Sequence, residues 1–358
     1  MDIQSKINIV KSFAEEIITE EDLKTLYEKK EHPVAYDGFE PSGNPHIAQV
    51  VMRAININKL TSTGVKFKML VADWHAWANN KMGGDLDKIR TVGNYLIEMW
   101  KAAGMDASKI EFVWANDMMG DPEYWKKVMK IASASTLQRI IRCSQIMGRK
   151  ESDTLSASQI FYPCMQCADI FHLGVDIAQL GMDQRKVNML AREVGDKIFG
   201  YKPVAVHHHM LMGLSKPPST DLTGVDRVIE LKMSKSKPET AIFMTDSQED
   251  IKKKINNAYC PDKAEEDNPL LEYCKYIIME KTDKFKVERP AKFGGDVEFN
   301  NYAELRDAYV AGKLHPMDLK TGIANELEKI VKPIRTHFQT NNKAKELFET
   351  VQSYKVTR

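Results

Sequence analysis

Between residues 34 and 211 the chain alternates short, β-prone apolar segments with amphipathic stretches long enough to be helices, and that alternation constrains the fold most. VAYDGF (34–39) reads as a strand, VKFKMLVAD (65–73) as a second and IEFVW (110–114) as a third. A helical run through Leu60, closed by Gly64, lies between the first two. Between the second and third, Ile89, Val92, Leu96, Met99 and Ala103 form one stripe, and Gly104 ends the helix. After a mostly helical insertion at about 115–165, the pattern resumes with VDIAQ (175–179), a helix following Gly181, and PVAVHHHML (203–211). Strands joined by helices of this length predict an α/β, doubly wound parallel sheet. Before it, Thr19 to Asp22 resembles a capping box, and the opening segment is expected to be helical. Beyond about residue 245 lysine-rich helical patterns dominate. The chain is therefore expected to divide into residues 1–240 and a mainly α-helical C-terminal domain, 241–358.

Composition narrows the class of function. A hydrophobic content of 43%, a charged content of 28% and a formal charge of +1 are ordinary for a soluble globular protein. Whole-chain charge neither favours nor excludes a nucleic-acid partner, since a basic surface can be local. The first residues carry acids and no continuous apolar run, which argues against a secretory signal, and no segment has the length and apolarity of a membrane span. Five scattered cysteines, with Cys164 and Cys167 in a C-x-x-C but no second pair at zinc spacing, point to packed free thiols in a reducing, cytoplasmic compartment.

Neither a G-x-x-x-x-G-K-[ST] loop nor a G-x-G-x-x-G turn is present. Two other segments suit phosphates. GFEPSGNPHIAQ follows the first strand and places His46 near a helix start, where backbone N–H groups and a positive helix end favour an anion. LKMSKSKP (231–238) brackets Ser234 and Ser236 with Lys232 and Lys235, mobile cations beside small donors. Each alone is weak: a Pro-His pair is usually a turn, and a Lys/Ser stretch usually a solvated loop.

In this order on a doubly wound sheet, the two segments resemble the HIGH and KMSKS signatures of class I aminoacyl-tRNA synthetases. KMSKS stands letter for letter at 232–236, whereas HIGH appears as His46-Ile47-Ala48-Gln49. Ala48 adds a methyl where the family usually leaves the backbone bare, and Gln49 can still donate a hydrogen bond. YDGFEPSG, ADWHAW, YPCMQCADIFHLGVDIAQLGMDQRK, MLARE, KFGGD and LHPMDLK, spread from about residue 36 to 320, closely resemble the tyrosyl-tRNA synthetases of the archaeal and eukaryotic lineage. That resemblance implies a Rossmann-like catalytic domain and a helical anticodon-binding domain. It also implies a homodimer built through the insertion, with L-tyrosine, ATP carrying Mg²⁺, and tyrosine-specific tRNA as partners. No resident cofactor or metal is expected.

The segment FYPCMQCADIFHLG has a peculiarity of its own. Pro163 suits the first turn of a helix, and on that helix Tyr162, Gln166 and Asp169 share a face at i, i+4 and i+7. A lone carboxylate among Cys164, Met165, Cys167, Ala168, Ile170 and Phe171 needs a partner if buried. The alternative is a narrow solvent-facing stripe. The resemblance implies that Tyr36 and Asp169 bind the phenolic hydroxyl of tyrosine, and that Tyr162, Gln166 and Gln184 hold its ammonium group and neighbouring atoms. It lays ATP along Gly38, Glu40, His46, Gln49 and Asp183, and along Lys232, Met233, Ser234, Lys235 and Ser236. His46, Lys232 and Lys235 carry the catalytic role by stabilising charge on the phosphates.

Other positions keep two readings. Asp183 lies near the ATP ribose or is a simple acid at a helix N-terminus. Arg185 and Lys186 contact the tRNA acceptor end or form a solvated basic pair. Phe293 and Asp318 flank the first anticodon base, or are a core aromatic and a helix N-cap. His207, His208 and His209 are adjacent on a strand and so point to opposite faces, which favours packing near the adenine over a metal site.

Overall fold

The computed structural model describes residues 1–148, 154–218, 221–233 and 237–354, apart from the side chains of Val225 and Phe293. Six strands form one sheet in the order β1-β6-β5-β2-β3-β4. They are β1 (Ala14–Ile18), β2 (Val34–Phe39), β3 (Lys66–Val71), β4 (Ile110–Trp114), β5 (Ile177–Gly181) and β6 (Val204–His208). Neighbours from β6 through β4 are parallel, as the β-helix alternation predicts. From β2 the chain winds outward to β3 and β4, and from β5 outward to β6, so the winding reverses between β2 and β5. In open α/β sheets that reversal opens a crevice at the carboxyl ends of the two strands.

Strands β2 to β5 feed two cores because successive side chains leave opposite faces. Ala35, Met69 and Ile177 enter one buried cluster, while Tyr36, Leu70 and Ala178 enter the other. The first face is covered by helices Arg53–Ser62 and Leu86–Ala102, whose predicted stripe is buried throughout. The second is covered by Pro122–Ser133, Ala157–His172 and Arg185–Phe199.

Two sequence expectations need correction. The opening segment is not all helix, since β1 lies between helices Ile3–Lys11 and Glu20–Lys29 and pairs antiparallel with β6. Its sequence, AEEII, has acids at two of its five positions and no alternation to betray a strand. Tertiary partners fix it: Glu15 meets His209 at 3.0 Å, and Glu16 meets Arg185 at 2.8 Å and His207 at 2.8 Å. Thr19 does cap the second helix, accepting from Asp22 N. The other correction concerns Pro163, which sits inside helix Ala157–His172 and not in its first turn. The true start is the capping box Ser156-x-x-Gln159, a signal present in the sequence.

Past the crevice come helices Gln248–Asn257, Pro269–Tyr273, Tyr302–Val310, Pro316–Thr340 and Asn342–Ser353, with an antiparallel hairpin of β7 (Phe285–Val287) and β8 (Val297–Phe299). Leu270, Ile277, Leu319, Ile334 and Phe338 belong to the same buried cluster as Phe67 and Met99. The C-terminal helices therefore share a core with the first face of the sheet.

Candidate active site

The cleft at the β2/β5 reversal holds about 350 Å³. Helix Ala157–His172 turns Tyr162, Gln166 and Asp169 into it, and all three are buried, with Asp169 at 0% exposure. The solvent-facing alternative for this stripe is thereby removed. Tyr36 enters from β2, also at 0% exposure. Its hydroxyl has no hydrogen-bond partner among the described residues. Burial, with the charge of Asp169 adding to it, pushes the Tyr36 phenol well above its usual pKa, so it stays a neutral hydroxyl.

Asp169 has the partners that its burial demands. Tyr124 donates its hydroxyl to Oδ1 at 2.9 Å, and His75 Nε2 pairs with Oδ2 at 2.9 Å. Burial disfavours a charged His75, but the Asp169 carboxylate outweighs it and raises the imidazole pKa. The cleft thus ends in a neutral phenol and a carboxylate backed by the His75 imidazole. Nearer the mouth, Gln166 donates to Gln184 at 3.1 Å, and Gln184 donates to the Ile146 carbonyl at 3.1 Å.

The wall toward the first face carries the second group of predicted residues. Gly38, Glu40, His46, Gln49 and Asp183 all line the cleft. Glu40 accepts from Asn79 at 3.2 Å, with Lys81 Nζ 3.6 Å away. His46 forms a β-bridge with Phe243, Ile47 N donates to the Ile242 carbonyl at 2.8 Å, and a wide π-turn follows over Ala48–Met52. At the end of β5, Lys232 Nζ donates to Asp183 Oδ2 at 2.6 Å. Burial would raise Asp183, yet Lys232 outweighs it and holds the carboxyl below its usual range. Gly181 leaves room for these side chains, since a Cβ there would lie 2.8 Å from Asp183 Oδ1 and 2.5 Å from Met210 Sδ and would displace them. Met233 lines the cleft beside Lys232, while Ser234, Lys235 and Ser236 lie outside the described residues.

Sequence reasoning missed several polar groups here. Asp37 is fully buried and 3.1 Å from Arg53 Nη1. Burial lifts its carboxyl to about 6, and Arg53 opposes the rise. An acid inside an apolar strand was the available signal for Asp37, and His75 stood in plain view in ADWHAW. Tyr124 had no comparable mark. The histidine triple separates as strand geometry requires. His208 lines the cleft and meets Gln179 at 2.6 Å, and burial, with Arg53 adding, lowers it to about 3. His207 contacts Asn188 and Glu16, and His209 sits between Glu15 and Glu272.

The remaining predicted residues lie away from the cleft. Arg185 binds Glu16 through Nε at 3.0 and 2.8 Å, and the Lys186 carbonyl accepts from Arg139. Asp318 is the third residue of helix Pro316–Thr340 and does not cap it; His315 does, accepting from Met317 N at 3.1 Å. The Phe293 side chain lies outside the described residues.

Comparison with known proteins agrees with this geometry. Residues 28–332 match the family described as tRNA synthetases class I (W and Y). A cytoplasmic tyrosine–tRNA ligase of Arabidopsis thaliana is 51% identical over 360 residues, spanning 100% of this chain and 90% of that protein. The solved tyrosyl-tRNA synthetase of Pyrococcus horikoshii, complexed with L-tyrosine, has a TM-score of 0.89 at 39% identity, covering 98% of this chain and 100% of that one. That of Leishmania major, in complex with tyrosinol, has a TM-score of 0.90 at 41% identity; the match covers 99% of this chain but 53% of that longer one. The chain belongs to the class I tRNA synthetases, in their tyrosyl branch.

Proposed function

We propose that the cleft activates L-tyrosine with ATP and that the chain then loads the amino acid onto the 3′ end of tyrosine-specific tRNA. One observation carries this reading: the closed end of the cleft pairs a neutral buried phenol, Tyr36, with a buried carboxylate, Asp169. A tyrosine hydroxyl offers one donor and one acceptor, and that pair supplies the complements. An indole N–H has no acceptor to meet a second donor, which disfavours tryptophan.

In this reading Tyr162, Gln166 and Gln184 hold the amino group, and ATP enters as its Mg²⁺ complex along Gly38, Glu40, His46, Gln49, Asp183 and the 232–236 segment. The tyrosine carboxylate attacks the α-phosphorus, and pyrophosphate leaves. The terminal ribose hydroxyl of the tRNA then attacks the acyl carbon, and AMP leaves. Neither step needs an enzyme nucleophile, so alignment and charge stabilisation by His46, Lys232 and Lys235 carry the catalysis.

The reading extends to organisation. Residues 1–240 form the catalytic domain and 241–358 the anticodon-binding domain, with Phe293 and Asp318 at the first anticodon base and Arg185 and Lys186 at the acceptor end. Trp125, Met129, Leu137 and Phe161, all in or beside the insertion, are large apolar side chains left exposed, and they support a homodimer built there. Five unpaired thiols fit a cytoplasmic location. The test is amino-acid-dependent exchange of pyrophosphate into ATP with tyrosine, tryptophan and phenylalanine. Exchange with tyrosine alone is expected, and equal exchange with tryptophan would contradict the reading.

A further inference from the structure

The segment that carries Lys232 leaves helix Gly224–Leu231, where Lys232 N donates to the Val228 carbonyl at 3.0 Å, and among the described residues makes only one short pairing with another part of the chain. Met212 and Lys232 form an isolated antiparallel bridge, flanked by two bonds, Met233 N to the Leu211 carbonyl at 2.9 Å and Gly213 N to the Leu231 carbonyl at 2.9 Å. A pairing this short does not by itself fix its position. On the side of Met212 away from Lys232, the C-terminal part of the chain takes hold. Met212 N donates to Glu272 Oε2 at 2.9 Å, and Tyr273 OH lies 4.0 Å from Met233 Sδ. Both side chains come from the short helix Pro269–Tyr273, whose first N–H groups are satisfied by the buried Asn268.

Glu272 is itself locked. Its carboxylate lies 3.0 Å from His209 Nε2, and His209 Nδ1 is 3.0 Å from Glu15 on β1. The imidazole stacks on Tyr276 with ring centres 4.2 Å apart. A chain of fixed contacts therefore runs from the edge of the sheet, through Glu272, to the backbone from which Lys232 reaches Asp183. A bond from an N–H to an immobilised carboxylate is stronger than one to water and directional. Charge stabilisation by a cation depends on placement to within about an ångström.

We propose that Glu272 is a positioning residue for tyrosine activation, fixing Lys232 through the Met212 backbone. This rests on the reading of Lys232 as a phosphate-binding cation. The full chain is tested by single-turnover formation of tyrosyl-adenylate, normalised to sites titrated with tyrosine so that misfolded protein does not count. Glu272→Ala is expected to slow the step about tenfold, a loss typical of a charge-assisted bond, while tyrosine affinity changes less than about twofold. Glu272→Gln keeps an acceptor for Met212 N–H and is expected to recover most of the rate. In a Lys232→Ala background the Glu272→Ala change is expected to cost nothing further.

A Lys232→Ala enzyme that is slow beside a Glu272→Ala enzyme that is not would overturn the proposal alone. Equal damage by Gln and Ala, or additive losses in the double variant, would also overturn it, leaving Glu272 as scaffold. An unaltered rate in Lys232→Ala would remove the reading of Lys232 and the proposal with it.

Discussion

His75 Nε2 lies 2.9 Å from Asp169 Oδ2, with each side chain only 1% exposed. The carboxylate raises the pKa of the imidazole behind it, and the Tyr124 hydroxyl donates to it from beside. What the substrate meets is one face of a carboxylate whose charge is already balanced.

Removing that balance is costly. Breaking a buried ion pair by deleting one partner typically costs about 3–5 kcal/mol, since the survivor is left charged in a poor solvent. His75→Ala is expected to lower unfolding free energy by about 3 kcal/mol and to weaken tyrosine binding. Urea denaturation and tyrosine titration measure the two effects. A stability change below about 1 kcal/mol would mean that Asp169 does not rely on His75.

The contact between Glu15, His209 and Glu272 predicts a pH dependence. Burial disfavours a charged His209, but the two carboxylates outweigh it and raise its pKa from 6.5 to about 9. A group raised on folding contributes stability in full below its unfolded value, and that stability is lost as pH rises through the folded one. Wild type should therefore exceed His209→Gln in stability near pH 6, and the gap should close as pH approaches about 9.5. Denaturation of both proteins across this range checks it. A gap that does not change with pH would show that His209 is neutral throughout.

At the far end of the chain, Asp318 is free of the capping duty that His315 performs. Asp318→Ala is expected to leave adenylate formation unaltered while relaxing discrimination against a tRNA whose first anticodon base has been replaced. Aminoacylation of both tRNAs by both proteins measures this. Unaltered discrimination in the variant would return Asp318 to a helix-dipole role.

Much of this was legible in sequence, and what was not has physical reasons. Strands β2 to β6 showed because each is apolar and bounded by turn residues. Strand β1 did not, because AEEII is made a strand by the edge of β6 and by partners for its two glutamates. Helical spacing put Tyr162, Gln166 and Asp169 on one face, since one helix delivers all three, but left open whether that face meets solvent; the resemblance implied a pocket. His75 and Tyr124 reach Asp169 from two other helices, and no spacing along the chain encodes that meeting. The meeting of Arg53 with Asp37 at 3.1 Å is likewise encoded by no spacing along the chain. Periodicity reports which face a residue takes, whereas the partners of a buried charge are set by how the elements pack.

The central claim is that Asp169 and Tyr36 select tyrosine by its hydroxyl. The most direct measurement is the ratio of kcat/KM for tyrosine to that for phenylalanine in adenylate formation, compared between wild type and Asp169→Ala. Because both amino acids are assayed on the same protein, a loss of folded enzyme cancels in the ratio. A carboxylate that reads the hydroxyl makes the wild-type ratio large, and its removal should lower it by at least about tenfold, the worth of one charge-assisted hydrogen bond. An equal loss toward both amino acids, leaving the ratio unaltered, would contradict the account and make Asp169 a purely structural partner of His75.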